Sequence, residues 1–308
     1  MIYTLTTNPA IDMNLMGAAI RPNQVNRTAN TVYSPNGKGI NVTLVLKHFG
    51  VDSAVLGFFG GFTGHYIIDE LEKREVQVLP VWVEDKTRIN IFINDGSDEY
   101  KFVNSGSFVP VEKQVEFIEK LKDLADCEYL VISGSLPSGV GEDYYEKILD
   151  ICQEKSIEII LDISSSKLKD LLKYKPLLIK PNDEEVRKIF GITVQSKGDI
   201  SRVMSFFKAE GVKNVLLTLG EKGSYFSDGH MFYECSAQPV QLISSACAGD
   251  AALGAFLSEW LITKDVVKAL KKSAAVGANV AESDALGDFK KVDSYINNIQ
   301  VRKVGTLS

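Results

Sequence analysis

Leu130-Val-Ile-Ser133, Ile157-Glu-Ile-Ile-Leu-Asp162, Leu177-Leu-Ile-Lys180 and Val215-Leu-Leu-Thr-Leu219 are short apolar runs, and what lies between them decides the fold. Asp143–Lys155, Asp183–Phe190 and Ser201–Glu210 are among the stretches with the spacing of amphipathic helices, and the order from Leu130 onward reads β-α-β-α-β-α-β. Strands that are apolar on both faces and joined through helices make a parallel sheet covered on both sides. Working back towards the N-terminus, Ile2–Thr6 and Ser53–Gly57 read as further strands. Gly39–Phe49, His65–Arg74 and Val111–Leu124 read as helices. At the other end, Asp250–Thr263 and Asp265–Ser283 both look helical.

Two segments break the alternation. Residues 12–35 and 87–107 are rich in β-branched and polar residues, as in Arg88-Ile-Asn-Ile-Phe-Ile-Asn94, and read as antiparallel strands inserted into the α/β body. The expected organisation is an α/β body of residues 1–11, 36–86 and 108–308, with a small β lid of residues 12–35 and 87–107. Apolar residues on the lid, such as Ile91, Phe92 and Ile93, and its strand edges call for cover.

Composition narrows the function. The chain has 308 residues, 45% hydrophobic and 24% charged, the balance of an ordinary globular protein. No apolar run reaches the roughly 20 residues that span a bilayer, and the N-terminus has no basic, then apolar, leader. Cys127, Cys152, Cys235 and Cys247 make no CxxC pair, and His48, His65 and His230 are the only histidines, which excludes a zinc site by spacing and points to a reducing cytoplasm. A net charge of -6 argues against nucleic acid as a partner.

In doubly wound folds, ligands bind beyond the carboxyl ends of the strands. The polar residues just after each strand are Asn8 and Asp12, Gly134 and Ser135, Ser164–Ser166, Asn182 and Gly220, all candidates for one crevice. Ser244-Ser-Ala-Cys-Ala-Gly-Asp250 leads small residues directly into an apolar helix. A helix start offers free N–H groups and a positive dipole end to a phosphate, and Asp250 there could take a proton from an attacking hydroxyl or simply cap the helix. In Asn36-Gly-Lys-Gly-Ile-Asn41, the glycines let a polyol or phosphate approach the backbone beside Lys38 and Asn41; a plain glycine turn reads equally well. Asn182 and Glu185 stand three apart at a helix start, as water-mediated Mg2+ ligands or as an N-cap with its acidic first turn. The chain has no GxxxxGK[ST], so it is not a P-loop NTPase.

Seven short motifs occur in order: Thr7-Asn-Pro-Ala-Ile-Asp12, Gly37-Lys-Gly-Ile-Asn41, Thr87-Arg-Ile-Asn90, Ile132-Ser-Gly-Ser-Leu-Pro137, Lys180-Pro-Asn182 with Glu185, Thr218-Leu-Gly220 and Ala248-Gly-Asp250. Together they cover nearly the whole chain. They resemble the ribokinase-like phosphofructokinase B family and, within it, bacterial 1-phosphofructokinases and tagatose-6-phosphate kinases. The resemblance implies a ribokinase-like, doubly wound, mostly parallel sheet flanked by helices with a small inserted β-sheet lid. It implies a kinase that uses ATP with Mg2+ and a homodimer formed through the lid.

It also assigns roles. Asp250 would be the catalytic base and Ala246–Gly249, with Cys247, Ala248 and Gly249, the anion hole. Asp12, Gly37, Lys38 and Asn41 would hold the sugar, with Arg88 and Asn90 at its phosphate end. Ser133 and Lys180 fall near the phosphates, Asn182 and Glu185 would hold Mg2+ through water, and Thr218, Gly220, Gly223 and Asn279 would line the nucleotide site. Asp162 would brace the nucleotide loops. The implied reaction is phosphorylation of a ketohexose monophosphate, first fructose 1-phosphate to fructose 1,6-bisphosphate. The alternatives are tagatose 6-phosphate, fructose 6-phosphate, or sugar-phosphate binding with little turnover.

The chain departs from the family pattern at three positions. Cys247 and Asn36 stand where the family has glycine, and Ala251 where it has serine. Two expectations follow for Cys247: a negative φ, so that the thiol is tolerated, and a thiol made reactive by the helix start.

Overall fold

The computed structural model describes residues 1–17, 20–244, 246–283 and 285–306. Part of the expected lid, Ala18 and Ala19, and Ser245 of the helix-start motif lie outside the described residues. The strands are β1 (Ile2–Thr6), β2 (Ala10–Gly17), β3 (Thr28–Asn36), β4 (Ser53–Gly60), β5 (Gln77–Val83), β6 (Arg88–Asn94), β7 (Glu99–Phe102), β8 (Tyr129–Ser133), β9 (Glu158–Asp162), β10 (Leu178–Ile179), β11 (Val215–Thr218), β12 (Ser224–Ser227), β13 (Met231–Cys235) and β14 (Val301–Thr306). The α-helices are α1 (Lys38–His48), α2 (Gly61–Glu72), α3 (Val111–Asp123), α4 (Asp143–Glu154), α5 (Leu168–Leu171), α6 (Asp183–Phe190), α7 (Lys197–Ala209), α8 (Ala248–Thr263), α9 (Val266–Ala281) and α10 (Val292–Asn298).

The large sheet has the order β14-β13-β12-β11-β10-β9-β8-β1-β4-β5. Its strands from β11 through to β5 pair in parallel. Side chains alternate between its faces, as period two requires. Leu130 and Ile132 of β8 and Ile159 and Leu161 of β9 join one core cluster with Phe117, Tyr144 and Ile148 from α3 and α4. Val131 and Ile160, one residue out of phase, join the opposite cluster with Val42, Leu253, Phe256 and Val276 from α1, α8 and α9. Burial on both faces is why these strands read as unbroken apolar runs.

The six strand candidates of the sequence all form. Four strands of the large sheet, β5 and β12 to β14, had no counterpart in that reading. β5 carries Pro80, which has no amide to donate and is tolerated because β5 is the outermost strand. At the other edge β11, β12, β13 and β14 pair antiparallel; short turns join β11 to β12 and β12 to β13, whereas β14 returns to the edge only after α8, α9 and α10.

A second, four-stranded sheet has the order β3-β2-β6-β7. One expectation is corrected here. β2 pairs antiparallel with β3, and β6 with β7, but the central pair β2 and β6 is parallel. The physical reason is connectivity: α1, β4, α2 and β5 of the body intervene between the two halves, so β2 and β6 enter the small sheet in the same direction. That register sets Asp12 beside Asn90, and Ala10 beside both Arg88 and Asn36.

Candidate functional site

The carboxyl ends of β1, β8, β9 and β10, the start of α1 and the start of α8 meet under the small sheet. Gly37 has φ 143, and a Cβ on Gly39 would stand 2.4 Å from the Leu5 carbonyl oxygen, so only glycine lets α1 start this close to β1. That approach delivers Lys38 and Asn41 to the strand ends. Lys38 Nζ lies 3.3 Å from Asp162 Oδ2 and 3.6 Å from Asp250 Oδ1. Lys180 Nζ lies 3.0 Å from Asp162 Oδ1. Asn41 Nδ2 donates to Asp250 Oδ2 at 2.9 Å.

The two carboxylates are held in opposite ways. Burial pushes Asp162 up, but Lys180 and Lys38 overcome it and leave the carboxyl below its ordinary range. Burial also pushes Asp250 up; Lys38 opposes this less completely, the Asp162 charge adds to it, and the carboxyl stays above its ordinary range. Lys38 is held protonated, chiefly by Asp162 and then by Asp250 and Glu185. Environments that push paired carboxylates apart separate a permanent anion from a proton acceptor.

On the small-sheet side, Asp12 is buried, accepts from Asn90 Nδ2 at 2.9 Å and accepts also from Asn36 Nδ2. Burial raises its carboxyl to about 6, against the lowering pull of Asn90, Arg88 and Asn36. The Arg88 guanidinium donates to the carbonyl oxygens of Asn104 at 3.0 Å and Asn8 at 3.1 Å, and its Nε is buried without a partner. A cavity of about 600 Å3 opens here, lined by Gly37, Lys38, Arg88, Asn90, Ser133 and Ser135 among others. Ser133 Oγ is buried with no partner at the cavity wall, a free group for a ligand oxygen. A smaller cavity of about 70 Å3 lies between β2, β6 and the loop before α8, lined by Asp12, Asn14, Ser244, Ala246 and Cys247.

Cys247 overturns both expectations made for it. Its φ is +62, the left-handed conformation natural to the glycine it replaces. Its thiol is pushed up to about 12, first by burial and then by the Asp250 and Asp12 carboxylates, which outweigh the helix start. Ala248 and Gly249 open α8, whose first amides have no helical acceptor. Ala251 is fully buried, and its amide donates to the Cys247 carbonyl at 2.8 Å.

Asn182 caps α6 in a reciprocal capping box with Glu185: Asn182 Oδ1 accepts from Glu185 N at 2.7 Å, and Glu185 Oε2 from Asn182 N at 2.9 Å. Ser164 Oγ donates to Glu185 Oε1 at 2.6 Å. Among the described residues no group of three or more His, Cys, Asp or Glu forms a metal cage. The two oxygen-bearing side chains at a helix start, near Lys38, still suit a hard cation that keeps most of its waters. Thr218 sits beside Asn182, its amide bonded to the Pro181 carbonyl at 3.0 Å. Gly223 has φ 90, and a Cβ there would meet the Cys235 carbonyl oxygen at 2.2 Å, so it and Gly220 form the turn from β11 to β12. Asn279 is buried on α9 with its Oδ1 unpartnered. Asn182, Thr218, Gly220, Gly223 and Asn279 do not line the 600 Å3 cavity.

Sequence reasoning treated Asn36 only as a missing glycine. Its signal was the strand pairing: the last residue of β3 lies across from Ala10, next to the strand that carries Asp12.

A cleft at the ends of parallel strands that gathers two lysines, two unlike buried aspartates and a helix start is built for a phosphorylated ligand. The profile of the pfkB family of carbohydrate kinases matches residues 6–290, and the chain belongs to that family. It is 48% identical over 301 residues to a D-tagatose-1-phosphate kinase of Klebsiella oxytoca, covering 98% of this chain and 99% of the relative. It is 31% identical to a 1-phosphofructokinase of Borreliella burgdorferi, covering 99% and 100%. Phosphofructokinase-2 of Escherichia coli in complex with substrates and products superposes with a TM-score of 0.90 at 25% identity, covering 96% and 98%. The chain is therefore a sugar-phosphate kinase, a phosphotransferase with ATP as co-substrate and an alcohol group of a sugar as acceptor. Among the described residues no helix is long and apolar enough to cross a membrane.

Proposed function

We propose that the enzyme transfers the γ-phosphoryl group of ATP to the 6-hydroxyl of a ketohexose 1-phosphate. The observation that carries this reading is the 48% identity, over nearly the whole chain, to a kinase named for D-tagatose 1-phosphate. D-Tagatose 1-phosphate is accordingly the first substrate. D-Fructose 1-phosphate is the second, favoured by Thr87-Arg-Ile-Asn90 and by the 31% identity to a 1-phosphofructokinase.

In this reading the sugar lies under the small sheet, which serves as a lid, where the 600 Å3 cavity adjoins the 70 Å3 one. Asp12, Asn90 and Asn41 take its hydroxyls, with the Gly37 backbone alongside. Arg88, with Ser133 nearby, takes its phosphate, since the guanidinium fork suits two oxygens at once. Asp250 accepts the 6-hydroxyl proton as that oxygen bonds to the γ-phosphorus and the bond to the β-phosphate oxygen breaks, releasing ADP. Such a transfer needs alignment and charge neutralisation more than covalent help. Lys38, Lys180 and the amides of Ala248 and Gly249 supply positive potential, and Asp162 holds both lysines in place. Thr218, Gly220, Gly223 and Asn279 form the nucleotide side. Mg2+ brought with ATP would be held by Asn182 and Glu185 through water, where it offsets phosphate charge.

A second copy of the chain covers the lid, whose Met16, Val32, Tyr33 and Phe102 are exposed apolar residues. The compartment is a reducing one such as the cytoplasm, in keeping with four free cysteines. ADP release, measured against tagatose and fructose carrying phosphate at carbon 1, at carbon 6 or nowhere, tests the substrate. Turnover confined to the 1-phosphates is expected. Turnover confined to the 6-phosphates would overturn it.

A further inference from the structure

Asn36, at the end of β3, and Cys247, at the start of α8, touch: Asn36 Nδ2 lies 3.3 Å from Cys247 Sγ. The same amide nitrogen donates to Asp12. Its Oδ1 accepts from the Gly37 amide and, at 3.2 Å, from Asn41 Nδ2, the group that also donates to Asp250. One side chain thus connects a small-sheet strand, the start of α1 and the loop entering α8. It also lines the 600 Å3 cavity while its partners Asp12 and Cys247 line the 70 Å3 cavity, so it stands in the wall between them. A glycine at this position could make none of these contacts.

We propose that Asn36 is a positioning residue that ties Asp12, Cys247 and, through Asn41, Asp250 into one hydrogen-bonded unit, fixing how the ketohexose hydroxyls are gripped beside the phosphoryl-transfer loop. This rests on the sugar-phosphate kinase reading. Asp12 is the group that answers to it. The side chains bearing on Asp12 are Asn90 and Arg88 from β6, Asn36 from β3, and Asp250 and Cys247 from the start of α8. Removing the Asn36 donor withdraws a lowering influence, so Asp12 then holds its proton to higher pH.

The test is calorimetric binding of the ketohexose 1-phosphate, without nucleotide, to the wild-type enzyme, Asn36→Gly and Asn36→Asp. The titrations run across roughly pH 5 to 8, bracketing the Asp12 value of about 6. Asn36→Gly removes the side chain, and Asn36→Asp keeps the acceptor oxygen while losing the donor. Asn36→Gly is expected to weaken sugar binding roughly tenfold, the cost of one hydrogen bond to a charged group. The pH at which binding fails should move upward, and KM for ATP should stay unchanged. Asn36→Asp should bind more weakly still. If Asn36→Gly binds the sugar with unchanged Kd and pH dependence, or if sugar and ATP parameters fall together with the melting temperature, Asn36 does not position Asp12. Wild-type enzyme that binds the sugar phosphate but releases no ADP would instead sink the kinase reading, leaving the binding comparison to judge Asn36 by itself.

Discussion

The end of β9 and the start of α8 each bring a buried aspartate to Lys38, and the two are prepared for different work. Asp162, between Lys38 and Lys180, is a fixed anion held below the ordinary carboxylate range. Asp250 is ion-paired with Lys38, feels Lys180 more weakly, takes one amide donor from Asn41 and sits higher. Identical residues in one cluster thus differ in how readily they hold a proton, according to how closely the two lysines pair with each. On our reading, Asp162 stores the lysines and Asp250 moves a proton.

The largest effect that follows is at Asp250. Asp250→Asn should lower kcat by about 10²-fold or more, the usual contribution of a general base, with KM for ATP little changed. Steady-state kinetics decides the point, since a variant keeping about half its activity would make Asp250 only a helix-start residue. Asp162→Asn should act on stability first. Stranding the deeply buried Lys180 costs about 3 kcal/mol, with a smaller share from Lys38, a third of whose side chain is exposed. Urea unfolding that finds no loss would mean the lysines do not depend on it.

Away from this pair, Arg88→Ala should reduce kcat/KM for the sugar phosphate roughly ten- to a hundredfold, for loss of a charge-assisted contact, while ATP is spared. Arg88→Lys should recover part of that. Equal damage to ATP would remove Arg88 from the sugar end. The smallest effect is at Cys247. Its positive φ stores strain that Cys247→Gly releases, raising stability by about 1 kcal/mol. The wild-type thiol, pushed up to about 12, should resist iodoacetamide at neutral pH. Rapid labelling at Cys247 that ATP slows would restore the reactive thiol expected from the sequence.

The contrast between the two aspartates also marks what the sequence could disclose. The parallel strands inside the sheet were legible because burial on both faces leaves unbroken apolar runs, as in Ile159–Leu161, whereas the parallel edge strand β5 was not. β14 was not, because its Val-Arg-Lys-Val-Gly-Thr run has no buried residue and borrows its register from β13. Candidate residues such as Lys38, Asn182 and Asp250 fell within reach because each opens or caps a helix. The opposite preparation of Asp162 and Asp250 did not, since it depends on Lys38 reaching across from α1. The thiol of Cys247 misled for a related reason. A helix start is visible in sequence, whereas the two carboxylates folded against it from β2 and from within α8 are not.

The pH dependence of kcat in wild-type enzyme and the two aspartate variants tests the division of labour most directly. Asp250 must be ionised to accept the proton, and its carboxyl lies above the ordinary range, so wild-type kcat should fall on acidification well before an ordinary carboxylate would protonate. Asp162→Asn removes a charge that raises Asp250, so the fall should move to lower pH but persist. Asp250→Asn should leave a small residual rate without it. An acid limb that survives in Asp250→Asn, or disappears in Asp162→Asn, would contradict the assignment of the proton to Asp250.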